Sequence, residues 1–274
     1  MSLKLAEQTA PASTEMRLHE YGIMYNVEDN FWWYEGMRRN LLSLLQRHWD
    51  WQAKPNPVVL DAGCGTGATL QHLAAGFEGE IATNRAVGFD ISSEALRFCR
   101  RRKLDRRLFQ GSITAIPVAD NSIDILVSFE VISNLSDPEP GFREVARVLN
   151  HGGLAIIKLP AYQFLYSEHD IAVRVLRRFN RGEVQALLAK HGLAPVRMSY
   201  LNTFLFPPAA ISRLIKKFLL KNKVDEELES DLKPPHPLLN KILIGIMAQE
   251  ARVLRHTNFN LPFGLSLITV ARKV

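Results

Sequence analysis

Cysteine is nearly absent: the 274 residues hold two, Cys64 and Cys99. They lie far apart in sequence, without the clustered spacing of a zinc or iron–sulfur site, so no metal centre is expected. A disulfide framework is excluded too, and a bridge from Cys64 would distort the glycine-rich turn that contains it, which points to a reducing, cytoplasmic setting. Long apolar runs are missing as well. The most apolar late stretch, Leu238 to Ala248, is interrupted by Asn240 and Lys241 and is too short to span a bilayer. Residues 1–20 carry acids and scattered polar groups around no apolar core segment, so no secretory leader is expected. What the chain does not lack is core-forming material: 47% of its residues are hydrophobic, ample for a packed domain and too much for default disorder.

Net charge is +6, and much of it sits in one run, where Arg97, Arg100, Arg101, Arg102, Lys103, Arg106 and Arg107 face only Asp105. Such a run invites a nucleic-acid or anionic-membrane reading. No aromatic residue interleaves it to stack bases. The expectation is therefore a helix C-terminus, where cations complement the dipole and solvate the surface, with no nucleic acid as partner.

The organising stretch is Val58-Val-Leu-Asp-Ala-Gly-Cys-Gly-Thr-Gly-Ala-Thr-Leu70. An apolar run ends in Asp61, and Gly63, Gly65 and Gly67 follow. This predicts a buried parallel strand, a tight turn and a helix start, with bare backbone and first-turn N–H groups available to a ligand's negative or acceptor groups. Gly63-x-Gly65-x-x-Ala68 also satisfies the relaxed dinucleotide pattern, so the turn alone leaves an NAD-binding domain open. A second apolar run, Ala86 to Asp90, ends in an acid placed to accept ribose hydroxyls. Gly111 to Pro117, Asn121 to Val131, and Phe142 to Gly153 leading into Leu154 to Lys158 come next.

In that order these segments resemble the class I S-adenosylmethionine-dependent methyltransferases, and most closely the small-molecule type 11 branch, over roughly residues 30–200. The resemblance implies an α/β fold: a Rossmann-like, doubly wound, seven-stranded sheet, mostly parallel with the last strand antiparallel. It implies S-adenosylmethionine as cofactor, held by Arg38, Asp61, Ala62, Gly63, Gly65, Gly67, Asp90, Ile91, Ser112, Ile113 and Phe129. Ser112 stands where the family usually has an aspartate for the adenine amino group, which weakens that contact. Ser133 and Asn134 stand where many relatives carry a Glu-His pair, so a base there is missing. No Asn-Pro-Pro-Tyr block follows the fourth strand, which argues against methylation of exocyclic base amines.

The remaining assignments come from position. Asn30 to Arg39 is an aromatic cluster running into a helix with Met37, Leu41, Leu45 and Trp49 on one face; Trp33 and Tyr34 are substrate-binding candidates, and Arg38 could fork onto the methionine carboxylate. The loop after Leu159 leaves a central strand beside the crevice, bringing Tyr162, Tyr166, His169 and Asp170 into reach. Tyr162 is a substrate-binding candidate. His169, oriented by Asp170, is a candidate general base and Tyr166 a second catalytic candidate; alternatively the His169–Asp170 pair only ties the loop to Arg177 or Arg178. Serine caps at Ser92, an Asp137–Pro138 helix start and an Asn180–Glu183 capping box are expected.

About sixty residues separate the sixth strand, Val196 to Tyr200, from the last, Leu265 to Ala271. They hold a helix from Ala209 to Lys221, with Ile211, Leu214, Ile215 and Phe218 at helical spacing, an acidic linker Asp225 to Asp231, and a helix from Leu238 to Arg255. The expected organisation is a tail or lid over 1–29, a cofactor-binding domain over 30–200 and 263–274, and a helical insertion over 201–262 roofing the substrate cleft. Ile242, Ile246 and Met247 are either core or cleft lining. The expected activity is methyl transfer to an oxygen, nitrogen or carbon of a small, partly hydrophobic acceptor, with no transmembrane segment and association into homo-oligomers left open. An RNA or protein methyltransferase and a non-catalytic cofactor-binding module are the alternatives.

Overall fold

The computed structural model describes residues 18–75, 85–219 and 235–274; the expected acidic linker Asp225 to Asp231 lies outside them. The elements run α1 (Leu18–Val27), α2 (Trp32–His48), β1 (Val59–Ala62), α3 (Ala68–Ala75), β2 (Ala86–Asp90), α4 (Ser93–Arg101), β3 (Leu108–Gln110), β4 (Ile123–Phe129), α5 (Glu139–Val148), β5 (Leu149–Pro160), α6 (Glu168–Ala172), α7 (Arg181–Lys190), β6 (Leu193–Leu201), α8 (Phe206–Leu219), α9 (Pro237–His256) and β7 (Ser266–Lys273).

The strands form one seven-stranded sheet in the order β3-β2-β1-β4-β5-β7-β6. β1 to β5 pair in parallel, and β7 enters antiparallel between β5 and β6. The order reverses beside β1, between β1 and β4, the place where open α/β sheets leave a crevice. Both faces are covered because the central strands alternate two apolar sets. Val59, Ile125, Val127 and Ile156 pack with Leu41 and Leu45 of α2, Leu70 of α3, Leu96 of α4 and Met247 of α9. Leu60, Leu126, Ala155 and Ile157 pack with Phe142 of α5 and Leu188 of α7 on the other face.

Several local expectations change in detail. Ser92 makes no side-chain cap for α4; Asp90 Oδ1 accepts from the Ser92 amide at 2.9 Å instead, because that carboxylate already closes the turn. Asp137 accepts from Glu139 N at 3.0 Å, and the cap position of α5 falls on Pro138. Asn180 caps α7 by accepting from Glu183 N at 2.9 Å, but the box is not reciprocal, since Glu183 binds Arg177. A full capping box forms at Ser167 and Asp170. β5 starts directly after α5, and Gly152, at φ 76°, sits in a bulge inside the strand rather than in a turn before it.

The arginine run is only partly a solvated surface. Arg102 is 6% exposed and binds Glu28 and Asp29, beyond the end of α1, at 2.8 and 3.0 Å. Its Nε donates to Thr66 O at 3.1 Å, and its guanidinium lies 4.8 Å from the Tyr25 ring. Arg107 donates to Ala86 O at 2.9 Å. The N-terminal helix is thereby pinned over the glycine turn.

The region 201–262 also differs from its expected role. α9 lies along α2, with Met247, Ala251 and Leu254 buried, and Gly36 of α2 gives Met247 room, since a Cβ there would stand 2.6 Å from its Cε. Met247 is core; Ile242 is 52% exposed. The roof comes from α1 and α2, while Arg213 of α8 is the insertion's contribution to the cavity among the described residues.

Candidate active site

The C-terminal ends of β1, β2, β4 and β5, together with α1 and α2, enclose a cavity of about 340 Å³, within the range of small-molecule sites. Its floor is the glycine turn. Gly63 has φ 81°, and a Cβ there would fall 2.2 Å from Val131 Cγ2. Gly65 has φ 54° and lies under Met24, whose Cε would be 2.9 Å from an added Cβ. Both positions demand the left-handed region without a side chain. Gly67, at φ 92°, serves packing instead: a Cβ would press on Cys99 and Leu104.

The turn is not an anion cradle. Gly63 N and Cys64 N donate to Phe89 O at 2.9 and 2.8 Å, and Gly67 N to Cys64 O at 3.0 Å. Gly65 N donates to Asp90 Oδ2 at 2.9 Å. The charge beside it is negative, with Asp61, Asp90 and Glu28 all buried. Burial first, then Asp90 and Glu28, push the Asp61 carboxyl up to about 7. Burial likewise raises Glu28, against the lowering effects of Thr66 and Arg102. A dinucleotide pyrophosphate would meet these carboxylates, whereas an ammonium and ribose hydroxyls would be welcomed by them. Oδ2 of Asp61 and Nε of Arg38 have no hydrogen-bond partner among the described residues.

The other predicted residues sort clearly. Asp90, Ile91, Ser112, Ile113 and Phe129 line the cavity with Gly63 and Gly65. Ser112 Oγ is bonded to Thr114 Oγ1 at 2.8 Å. Asp61, Ala62 and Gly67 are not among the lining residues, and Ala62 is wholly buried. Arg38 lines the cavity, but its terminal nitrogens are engaged with Glu28 O at 2.7 Å, Asp29 O at 3.0 Å and Glu35 Oε2 at 3.0 Å. Its Nε has no partner among the described residues, and the engagement of both terminal nitrogens within the protein competes with the expected fork onto a carboxylate.

Trp33, Tyr34 and His169 line the cavity. Tyr162 and Tyr166 do not. Tyr162 stacks on Tyr200 at 5.0 Å and meets Phe206 edge-on, an apolar cluster that outcompetes the crevice for its ring. Tyr166 donates its hydroxyl to Val175 O at 3.0 Å. Asp170 does not orient His169: its oxygens take Arg178 at 2.7 and 3.0 Å and the Ser167 amide at 2.8 Å. The alternative reading, that this acid ties the loop down, holds for Asp170.

Two residues that sequence reasoning passed over complete the site. Lys158, inside β5 and 1% exposed, lines the cavity and pairs with Glu130, which follows β4. The available signal was a lone charge in the apolar run Leu154 to Leu159. Val131, Leu135, Val173, Val175 and Leu265 add apolar wall beside the charged lining residues Asp170, Arg178 and Arg213.

A family model described as a methyltransferase domain matches residues 60–157. A probable S-adenosylmethionine-dependent methyltransferase of Mycobacterium tuberculosis is 29% identical over 142 residues, 51% of this chain and 50% of that protein. A demethylmenaquinone methyltransferase of Renibacterium salmoninarum is 32% identical over 106 residues, 38% of this chain and 42% of that protein. The chain thus spans about half the length of these curated relatives. Among solved structures, a chain from the complex of the Haloferax volcanii Trm112 methyltransferase activator with a methyltransferase superposes with TM-score 0.59 at 18% identity, covering 95% of this chain and 99% of that one. An S-adenosylmethionine-dependent methyltransferase from Thermotoga maritima gives 0.54 at 16% identity, covering 94% and 96%. These two likenesses concern the fold.

Proposed function

From its place in the class I S-adenosylmethionine-dependent methyltransferase family, type 11 branch, we propose that this chain transfers a methyl group from S-adenosylmethionine to a small, partly hydrophobic acceptor. The observation that supports the reading is the glycine-floored cavity with Asp90 at the end of β2 and with Ile91, Ile113 and Phe129 in its lining. In this reading Asp90, in the cavity lining, takes the ribose hydroxyls, and the unpartnered Asp61 Oδ2 and Arg38 Nε serve the ammonium and the carboxylate. Ile91, Ile113 and Phe129 supply apolar surface for the adenine ring.

When bound, the cofactor supplies an activated methyl with a neutral thioether leaving group. The protein's part is then alignment and exclusion of water, which for a well-held pair is worth roughly 7–11 kcal/mol. α1 and the aromatic start of α2 cover the cavity with Tyr21, Met24 and Trp33. The apolar lining residues Val131, Val173, Val175 and Leu265 favour a metabolite with an apolar body. The internal engagement of Arg102 and Arg107 removes part of the basic surface on which an RNA reading relied.

Titration calorimetry with S-adenosylmethionine and its demethylated product is the first test, with Asp90→Ala expected to weaken binding at least tenfold. Labelled cofactor incubated with a metabolite extract should then yield a product heavier by one methyl. Absence of heat with both ligands, on folded protein, would remove the proposal.

A further inference from the structure

Lys158 occupies a strand position between Ile157 and Leu159, each 1% exposed. An aliphatic side chain would fill it without the cost of taking an ammonium out of water, so the charge calls for a role in the cavity it lines. Its Nζ pairs with Glu130 Oε1 and stands 5.0 Å from the Trp33 ring. Glu130 is fixed by its backbone: φ is 63°, its N–H donates to Lys158 O at 3.0 Å, and its carbonyl accepts from Ser133 Oγ at 2.6 Å. A left-handed glutamate is rare, and such outliers gather at functional sites. Its second oxygen, Oε2, is shielded from solvent and has no partner among the described residues.

The pair therefore presents an ammonium with further N–H donors beside a carboxylate oxygen that lacks a donor. One hydroxyl satisfies both, its oxygen accepting from Lys158 and its hydrogen going to Glu130 Oε2. A protonated amine can only donate and meets the like charge of Lys158. A ring carbon does neither. The location suits the reaction, since Val131, next to Glu130, abuts Gly63 of the cofactor turn.

We infer that Glu130 and Lys158 form the acceptor subsite for an ionisable hydroxyl, a phenol or an enol, and that the enzyme methylates oxygen. The assignment rests on the methyl-transfer reading of the cavity. The hydroxyl proton passes to Glu130 Oε2, leaving the oxygen anion against the Lys158 ammonium. A lone pair of that oxygen forms the new O–CH3 bond while the C–S bond of the sulfonium breaks, its electron pair remaining on sulfur. Methyl ether and neutral thioether depart, and Glu130 returns the proton to water.

The test uses 4-nitrophenol, whose absorbance distinguishes phenol from phenolate, added to protein saturated with S-adenosylhomocysteine at a pH well below that at which the free phenol ionises. With the phenol proton passed to Glu130, that carboxyl is neutral and the Lys158 ammonium faces the phenolate uncompensated, which should raise the bound phenolate-to-phenol ratio at least about tenfold over the free ratio. Lys158→Met should abolish the rise. Because that variant leaves Glu130 unpaired, Lys158→Met/Glu130→Gln, which carries no uncompensated charge, is measured beside it and should also show no rise. Failure of wild-type protein to bind the phenol, binding as the neutral phenol, or an unchanged spectrum in the double variant would overturn the assignment. So would a Glu130→Gln variant that binds S-adenosylhomocysteine at least tenfold more weakly with the phenol spectrum unaltered, since Glu130 would then serve the cofactor. Calorimetry of wild-type protein with S-adenosylhomocysteine separates the two levels: no heat there sinks the methyl-transfer reading itself, whereas normal heat with no phenolate sinks the subsite alone.

Discussion

Replacing Arg102 by methionine tests whether the lid is held by charge. Arg102 and Glu28 are each 6% exposed at the side chain and 2.8 Å apart, and breaking such a pair by removing one partner costs about 3–5 kcal/mol, because the other charge stays buried. Thr66 would remain bonded to Glu28, while Asp29 and Gln71 would lose the same guanidinium. α1 has little else beneath it: Tyr21 packs on Ala95 and Phe98, with Met24 and Tyr25 alongside. The loss should therefore appear as local opening rather than global unfolding. Amide exchange over residues 18–28 should accelerate by about 100-fold or more, since about 1.4 kcal/mol is a factor of ten. Affinity for S-adenosylhomocysteine should fall with it, because Tyr21, Met24 and Glu28 line the cavity. The deficit should shrink on acidification. Burial already holds the Glu28 pKa above its ordinary 4.5, so the variant's penalty is relieved at low pH and grows as pH rises and the carboxyl must ionise. Unchanged exchange in 18–28 together with unchanged affinity would refute the reasoning.

Asp61 gives a second prediction. With its carboxyl raised to about 7, stability from that group is present below the ordinary carboxyl pKa and is lost as pH rises toward 7, and binding of an ammonium must displace a proton below that value. Affinity for S-adenosylhomocysteine should drop up to about tenfold per unit below pH 7 and level off above it; calorimetry in two buffers should detect proton release at about pH 6 that Asp61→Asn removes, and a flat affinity profile would contradict it. Gly36→Ala should also destabilise. Alanine normally gains about 0.5–1 kcal/mol in a helix, but here its Cβ would stand 2.6–2.7 Å from Met247 side-chain atoms. Overpacking costs about 1–3 kcal/mol, so the melting temperature should fall by a few degrees, and a rise would contradict close packing of α2 on α9.

The β-α alternation, the glycine turn and the acids ending β1 and β2 were legible because each follows from local rules. Apolar runs of strand length, positive φ at Gly63 and Gly65, and a carboxylate just past a strand all act over a few residues. The same rules found one side of the cavity lining, since Asp90, Ile91, Ser112, Ile113 and Phe129 sit at or next to strand ends in sequence. Tyr162 and Tyr166 misled because a loop leaving the right strand places its backbone, while stacking and hydrogen bonding decide where its rings go.

What only the tertiary structure decided is which distant groups meet. Arg102 reaches Glu28 across 74 positions, turning an apparent surface cation into a lid clasp. Asn240 accepts from Trp32 N at 2.9 Å and Met247 fills the space over Gly36, so α9 lies on α2. Glu130 and Lys158 stand 28 residues apart and become neighbours because β4 and β5 pair in parallel with Phe129 beside Lys158. Periodicity sets which face of an element is buried, but not which other element covers it; shape and charge complementarity between finished surfaces do that.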